Sequence, residues 1–382
     1  MSDFVLFSGS GGPGTTAPFS PGYAVQLGSS SSIIGGSVGS FQLVKTTATA
    51  SISGNIYSKG TILLTNGNLV SGRISASNAQ SVIGTILSVG SNANLGGNLD
   101  VNGNINVASG IVSGKVTHPI GTTYSGPAPA LGNITGVPSL PAFPSLPAIT
   151  PFPPFSAVPD IITTRTITPG AYDDIKLSGN QTLTFSGTGV YVIDLIDNKN
   201  ATNYFVFDFQ NNPTGTFQIY VYQNVKLNKT GVSMINGGSA SRIYTEIHGI
   251  GTGPGKYAFD LANGSSGGAP SRWLGTVWAP YAAINVGSGT GNTDITGALW
   301  SGTQVIIQSG VTINYAAYKN CSTPNANAGV DRELTCSALS VQLIGSSTTS
   351  GVTFGWLASN GGIISAGANT ATPTVNAAGT YI

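Results

Sequence analysis

The sequence predicts an all-β protein whose body is a β-solenoid of the parallel β-helix kind. Three observations carry that expectation: charge is scarce, glycine is abundant, and a glycine-centred motif recurs along the first third. Of 382 residues, 7% are charged, against about 25% in an ordinary globular chain. Soluble helices keep their outer faces wet with Lys, Glu and Arg. The only glutamates are Glu246 and Glu333, so helical surfaces are almost excluded. Solvent-facing positions fall instead to Ser, Thr, Asn, Gly and Gln. Alternating with Val, Ile and Leu, these residues suit strands joined by tight turns, which 54 glycines are there to make.

A five-residue motif, apolar, small, Gly, any, apolar, returns as Ile34–Val38, Ile52–Ile56, Val70–Ile74, Leu95–Leu99 and Val112–Val116, at steps of 18, 18, 25 and 17. A second apolar run follows within most units: Thr61–Leu64, Thr85–Ser88 and Asn104–Val107. In the 25-residue unit the surplus, Ser75–Ser81, falls between the two runs, where an insertion belongs if it is a loop. A period near 18 with two or three short strands is that of a solenoid, each turn of chain pairing its backbone with the turns before and after. Glycine at a fixed place marks the corner, where a Cβ would clash or force φ into a disfavoured region. Residues 1–126 are thus read as N-terminal solenoid repeats.

From Pro127 to Pro159, ten prolines in 33 residues exclude ladder strands and helix alike and predict extended, polyproline-like chain. Leu140, Phe143, Leu146, Ile149, Phe152 and Phe155 recur every three residues, the polyproline II period. One apolar edge results, so residues 127–159 read as a strap packed along the solenoid, with a solvated linker as the alternative. After Asp160 the alternation is clean and aromatic. Tyr191–Ile196, Tyr204–Phe209, Thr216–Tyr222 and Arg242–His248 read as strands. The solenoid idiom then returns in Leu274–Pro280, Ala283–Gly287, Ile295–Trp300 and Val305–Gly310. Residues 160–318 are expected to supply further coils and an end cap to one elongated β body.

The run Leu274–Tyr315, with GTVWAPYAAINVGSG, ITGALWSG and QVIIQSGVTIN, resembles the C-terminal part of bacterial surface-adhesin domains of the choice-of-anchor A or collagen-binding-like type. Those domains are in turn similar to ice-binding-type β-solenoids, and SGNIYSKGTILL and LGGNLDVNGNINV fit the same style. The resemblance implies a secreted surface protein and no reaction. Residues 319–382 resemble the opening of a PKD- or immunoglobulin-like module of large type IX-secreted adhesins, through Asn327–Cys336, Ser340–Ile344 and Val352–Trp356. Such modules run to about 80 to 100 residues with roughly seven strands. The resemblance therefore implies a truncated β-sandwich, a later cysteine partner for Cys336 that is absent, and more chain beyond Ile382. A module left open in this way either packs on the solenoid body or accepts a donated strand, for which Phe4–Phe7 of a neighbouring copy is the candidate donor, giving self-association. Cys321 and Cys336, the only cysteines, are compatible with an extracellular disulfide and too few for a Cys-rich zinc site.

No P-loop, dinucleotide fingerprint or nucleophile elbow occurs, and no cofactor, metal or catalytic residue is expected. Glu246 and His248, two apart, share one face of a strand and are the best acid–base pair the chain offers. A polysaccharide-degrading solenoid would need further carboxylates to converge on them. Asp173, Asp174, Asp194, Asp197, Asp208, Asp260 and Asp294 lie in the same half, yet nothing in the sequence gathers them, and a solvated polar strand face explains the pair as well. His118, before Pro119, reads as a loop residue. Tyr220, Tyr222 and Tyr244 alternate with apolar neighbours, as a glycan-stacking platform or as cross-strand packing.

The expected function is a non-enzymatic adhesin or structural segment at the cell surface. Its glycan or extracellular-matrix ligand would be met by Tyr220, Tyr222, Tyr244, Glu246 and His248. A polysaccharide-degrading or glycan-binding solenoid is one alternative and an ice-binding protein another, although Thr does not recur at the 18-residue period. A net charge of +1 without a basic run argues against nucleic-acid or anionic-membrane partners, and no stretch of about 20 apolar residues is present to span a bilayer. Met1–Ser2–Asp3 offers no positive start for a secretory signal, so the extracellular reading expects that signal to have been removed.

Overall fold

The computed structural model describes all residues except 2, 10–24, 80, 155–158, 199–201, 251–256, 263–270, 289–291, 320–325 and 348–351. The chain forms two compact units, Met1–Tyr318 and Lys319–Ile382. The first is a β-solenoid with three faces. A turn of chain lays Ser37–Ser40 on the first face, Leu43–Thr46 on the second and Ser51–Ile52 on the third, then starts again at Ile56–Ser58. Strands of successive turns pair in parallel, and helix among the described residues is limited to the 3-10 turn Ala240–Arg242.

The sequence period becomes a column of side chains. Val38, Ile56, Ile74, Leu99 and Val116 stand in register on the first face, all turned inward and fully or almost fully buried. At the corner before them, a Cβ on Gly54, Gly72, Gly97 or Gly114 would overlap the carbonyl group of the glycine one turn earlier. Of the five corner glycines only Gly36, where the column begins, has a left-handed φ, at 56°, so close approach of stacked backbones is what excludes a side chain. Gly72→Ala should therefore cost about 1–3 kcal/mol, read as a lower urea midpoint at unchanged slope. Exposed Ser71→Ala, next to it, should move the midpoint by less than about 0.5 kcal/mol. The insertion of the 25-residue unit begins later than expected: Ser75 and Ala76 finish the strand Ile74–Ala76 and are buried, and the coil resumes with the strand Thr85–Val89.

Chain order and coil order differ. On the second face, Val25–Leu27 pairs with Val44–Thr46 on one side and with Val305–Ile307 on the other. On the third, Ser32–Ile34 lies between Ser51–Ile52 and Thr312–Asn314. On the first, Phe4–Ser8 lies between Ser37–Ser40 and Leu299–Ser301. The first coil thus sits on the last. One half of the chain winds away from this seam to Asn133–Thr135, and the other starts at the far end and winds back to it. Along the axis the order is residues 160–318 and then 4–135. The N-terminal strand is therefore no donor to another chain: Val5, Leu6 and Phe7 are 0% exposed, and both backbone edges are taken by strands of the same molecule.

The proline-rich segment is not free of ladder strands, as its composition predicts it to be: Asn133–Thr135, in the proline-free stretch between Pro129 and Pro138, pairs with Val116–His118. Beyond it the chain runs over the first face. Ser139 donates its N–H to Asp100 Oδ1 (3.3 Å) and accepts from Arg73 Nη1 (3.4 Å). Phe143 and Leu146 pack on Phe4, Phe7, Trp278 and Trp300, and Lys59 lies 4.2 Å from the Phe41 ring and 5.4 Å from that of Phe143. In the C-terminal half the core turns aromatic, Phe185, Phe205, Phe207, Phe217 and Trp273 meeting edge-on or stacked. The expected strand Tyr191–Ile196 is two, Gly189–Ile193 and Ile196–Asn198, because a corner falls between them.

The second unit is antiparallel. Val341–Gln342, Thr374–Val375 and Ile364–Ala366 form one sheet, Ala358–Ser359 and Thr380–Tyr381 another. Leu343, Trp356 and Val375 make its core. Val352–Trp356, one of the stretches that carry the immunoglobulin-like resemblance, is not a strand; Trp356 anchors it by donating Nε1–H to the Thr370 carbonyl at 2.9 Å. Cys336 is exposed, and Cys321 lies outside the described residues.

Candidate functional site

Three adjacent first-face strands, Phe217–Val221, Ile243–Ile247 and Ser271–Ala279, set Tyr220, Glu246 and Trp278 in one outward row, with Tyr244 in the row before it. Tyr222 and His248 follow Tyr220 and Glu246 by two residues. The fold thus brings all five residues proposed from sequence together, but under the strap. Glu246 is 0% exposed. Its Oε1 accepts from the Thr150 N–H (2.9 Å) and lies 2.9 Å from His248 Nε2; its Oε2 accepts from Thr150 Oγ1 (3.0 Å) and the Tyr244 hydroxyl (3.0 Å). The Phe152 ring stacks on His248 at 3.6 Å between centroids and on Tyr220 at 4.9 Å. Tyr222 donates to the Pro153 carbonyl at 2.9 Å.

Burial, followed by the Glu246 carboxylate, pushes the Tyr244 phenol well above its ordinary range, and the same two causes raise Tyr220. Tyr244 is thereby held as a neutral donor. Both carboxylate oxygens already have two partners each, and no second carboxylate is among them. The arrangement fixes the strap and leaves no lone pair for a substrate.

The aspartates are dispersed over the same half. Asp160, Asp173 and Asp174 gather closely enough to suit a cation, yet the Lys176 ammonium occupies the cluster, 3.0 Å from Asp160 and 2.6 Å from Asp174. Hydrogen bonds to these carboxylates raise the Lys176 pKa above its ordinary value. Asp294 forms a two-pronged pair with Arg272 (2.7 and 2.8 Å), Asp260 accepts from Asn285, and Asp194 from Gln223. His118, read as a loop residue, ends the strand Val116–His118 and is 4% exposed, its Nδ1 2.9 Å from Thr122 Oγ1.

No protein-family model matches the chain, and no curated protein matches it either. Among solved structures, the chain is similar to the crystal structure of an ice binding protein from an Antarctic bacterium of the Flavobacteriaceae. The identity is 14% over 84% of this chain and 98% of that one, with a TM-score of 0.25. The resemblances to choice-of-anchor A and to PKD- or immunoglobulin-like modules gain no support from these comparisons.

A second feature escaped the sequence. On the second face of the N-terminal half, outward positions form two columns. Thr85 and Asn104 stand opposite each other in one, with Thr61 at the start of the preceding strand and Thr123 beside Asn104, its N–H donating to Asn104 Oδ1 at 2.9 Å. Leu63, Ser88, Asn106 and Ser125 make the other. The first column recurs at steps of 24, 19 and 19, so a search at 18 passes over it. Parallel strands about 4.8 Å apart, with outward residues about 6.7 Å apart along a regular strand, give a grid of hydroxyl, amide and apolar groups, interrupted by a β-bulge between Thr85 and Leu87. No charged residue falls within the grid, and Lys45 borders it beside Leu63.

Proposed function

We propose that the chain is a non-enzymatic extracellular binding protein of the adhesin type, in which the solenoid stiffly presents its uncovered faces to a ligand. The observation that carries this reading is the complete occupation of Glu246. The best acid–base pair of the sequence is consumed in holding Thr150 and Phe152, so it serves the fold and has no access to a glycosidic bond. Recognition moves from the five residues under the strap to the grid on the second face, where uncharged hydroxyl and amide groups suit a surface that repeats its own hydroxyls, such as an ordered polysaccharide.

Co-sedimentation with insoluble polysaccharides and fibrillar collagen, with reducing ends assayed in the supernatant, tests the proposal. Retention without release of sugar is expected, weakened at least about tenfold by Asn106→Lys in the centre of the grid, a loss of about 1.4 kcal/mol. Release of reducing ends that Glu246→Gln abolishes would establish an enzyme instead. The same repeated hydroxyl and amide groups favour a second reading, ice binding. Thermal hysteresis that Asn106→Lys removes, without retention on any polymer, would select it.

A further inference from the structure

The two outer ends of the solenoid differ in chemistry. At the end of the N-terminal half the outermost first-face strand, Asn133–Thr135, pairs in parallel with Val116–His118 and, among the described residues, with nothing on its other side. The Gly132 carbonyl accepts from the Val116 N–H (3.0 Å), and the Gly136 N–H donates to the His118 carbonyl (2.8 Å). Backbone groups alternate in direction along a strand, so those of Ile134 face the neighbour while those of Asn133 and Thr135 point away from the solenoid. Around this edge Ile120, Leu131, Ile134 and Val137 are 86%, 67%, 47% and 94% exposed. Residues 116–159 contain no Asp, Glu, Lys or Arg.

The opposite end is protected in the way native edges usually are, by charge. Arg165 lies exposed on its outermost third-face strand, and Lys176 is clasped between Asp160 and Asp174. Stacking that end on the uncharged one would desolvate charges against a surface with nothing to pair them. An uncharged, apolar end with free backbone groups is matched instead by another of its kind.

We propose that two copies of the chain join end to end through the Asn133–Thr135 strands, about a twofold axis at Ile134. Antiparallel pairing alternates residue pairs that exchange both backbone hydrogen bonds with pairs that exchange none. Centred on Ile134, Asn133 faces Thr135 of the second copy in two hydrogen-bonded pairs, and the two Ile134 side chains meet in the intervening non-bonded pair. The backbone directions imposed by Val116–His118 are those this pairing requires. The interface is isologous and closes at a dimer, whereas head-to-tail stacking would grow without limit.

Sedimentation velocity on the whole chain, up to about 100 μM, tests this. A concentration-dependent dimer is expected. Ile134→Lys, placing two ammonium groups together at the axis, should shift the midpoint of dimerisation at least tenfold upward. Thr135→Pro, which deletes an outward N–H, should do the same. Both should keep the parent's far-ultraviolet spectrum, and Arg165→Glu at the far end should dimerise as the parent does. A parent that stays monomeric throughout the range, a dimer indifferent to both end variants, or open-ended polymers would each overturn the proposal.

Discussion

Deleting residues 1–8 should abolish cooperative folding. The segment looks dispensable by position, yet it is the first-face strand of the coil at which the two halves meet. Val5, Leu6 and Phe7 are fully buried, Phe4 is 7% exposed, and the Phe4 carbonyl accepts the Trp300 indole N–H at 2.9 Å. Burying four such side chains is worth about 6–12 kcal/mol at about 1.5–3 kcal/mol each, as much as the whole stability of an ordinary domain. The deletion would also bare the facing edges of Ser37–Ser40 and Leu299–Ser301 and unroof the core between them. Urea titration followed by far-ultraviolet dichroism should show a broad, shallow loss of signal or an aggregated product. Leu6→Ala, which keeps the backbone ladder, should remain cooperative and lose about 2–5 kcal/mol. A truncated protein that unfolds within about 1 kcal/mol of the parent would mean that the halves do not depend on this seam.

The sequence announced the solenoid because its corners are made by contact between backbones. Gly54, Gly72, Gly97 and Gly114 each lie against the previous glycine, and such a constraint leaves a fixed residue type at a fixed spacing. Coil order leaves no such trace. A strand such as Val25–Leu27 presents the same inward apolar column to Val44–Thr46 as to Val305–Ile307, so nothing local tells that the two ends of this unit adjoin in its middle. The candidate site was legible in part. The i, i+2 spacing placed Glu246 and His248 on one face, and register added the three tyrosines. Whether water or protein lies beyond that face is set by Thr150 and Phe152, about 96 residues away along the chain. The period-three apolar edge of the strap signalled Phe152, whereas Thr150 lies off that edge. The hydroxyl grid was hidden for a different reason, since one inserted loop is enough to break its period.

The strongest test of that hidden contact is the carboxylate itself. Glu246→Ala should destabilise the protein by about 3–5 kcal/mol, the usual consequence of removing one member of a buried, charge-assisted network. It would leave the Thr150 N–H and hydroxyl, the Tyr244 hydroxyl and the His248 ring without their acceptor. Glu246→Gln should cost less, about 1–2 kcal/mol. An amide oxygen in the Oε1 position still accepts from Thr150 N–H and His248, and the NH2 group then meets the hydroxyls of Thr150 and Tyr244, which are free to turn and accept. Thr150→Val, keeping the N–H and losing the hydroxyl, should lie near the Gln value. Combined with Glu246→Gln the two costs should not simply add, since both variants alter the same contact. The strap should report the loss directly. Proteinase K should nick the Ala variant between Ser139 and Pro154 under native conditions while the parent and the Gln variant resist. If the Ala variant proves equally resistant and equally stable, the strap is held by its aromatic contacts alone, and the reason given for excluding Glu246 from catalysis falls with it.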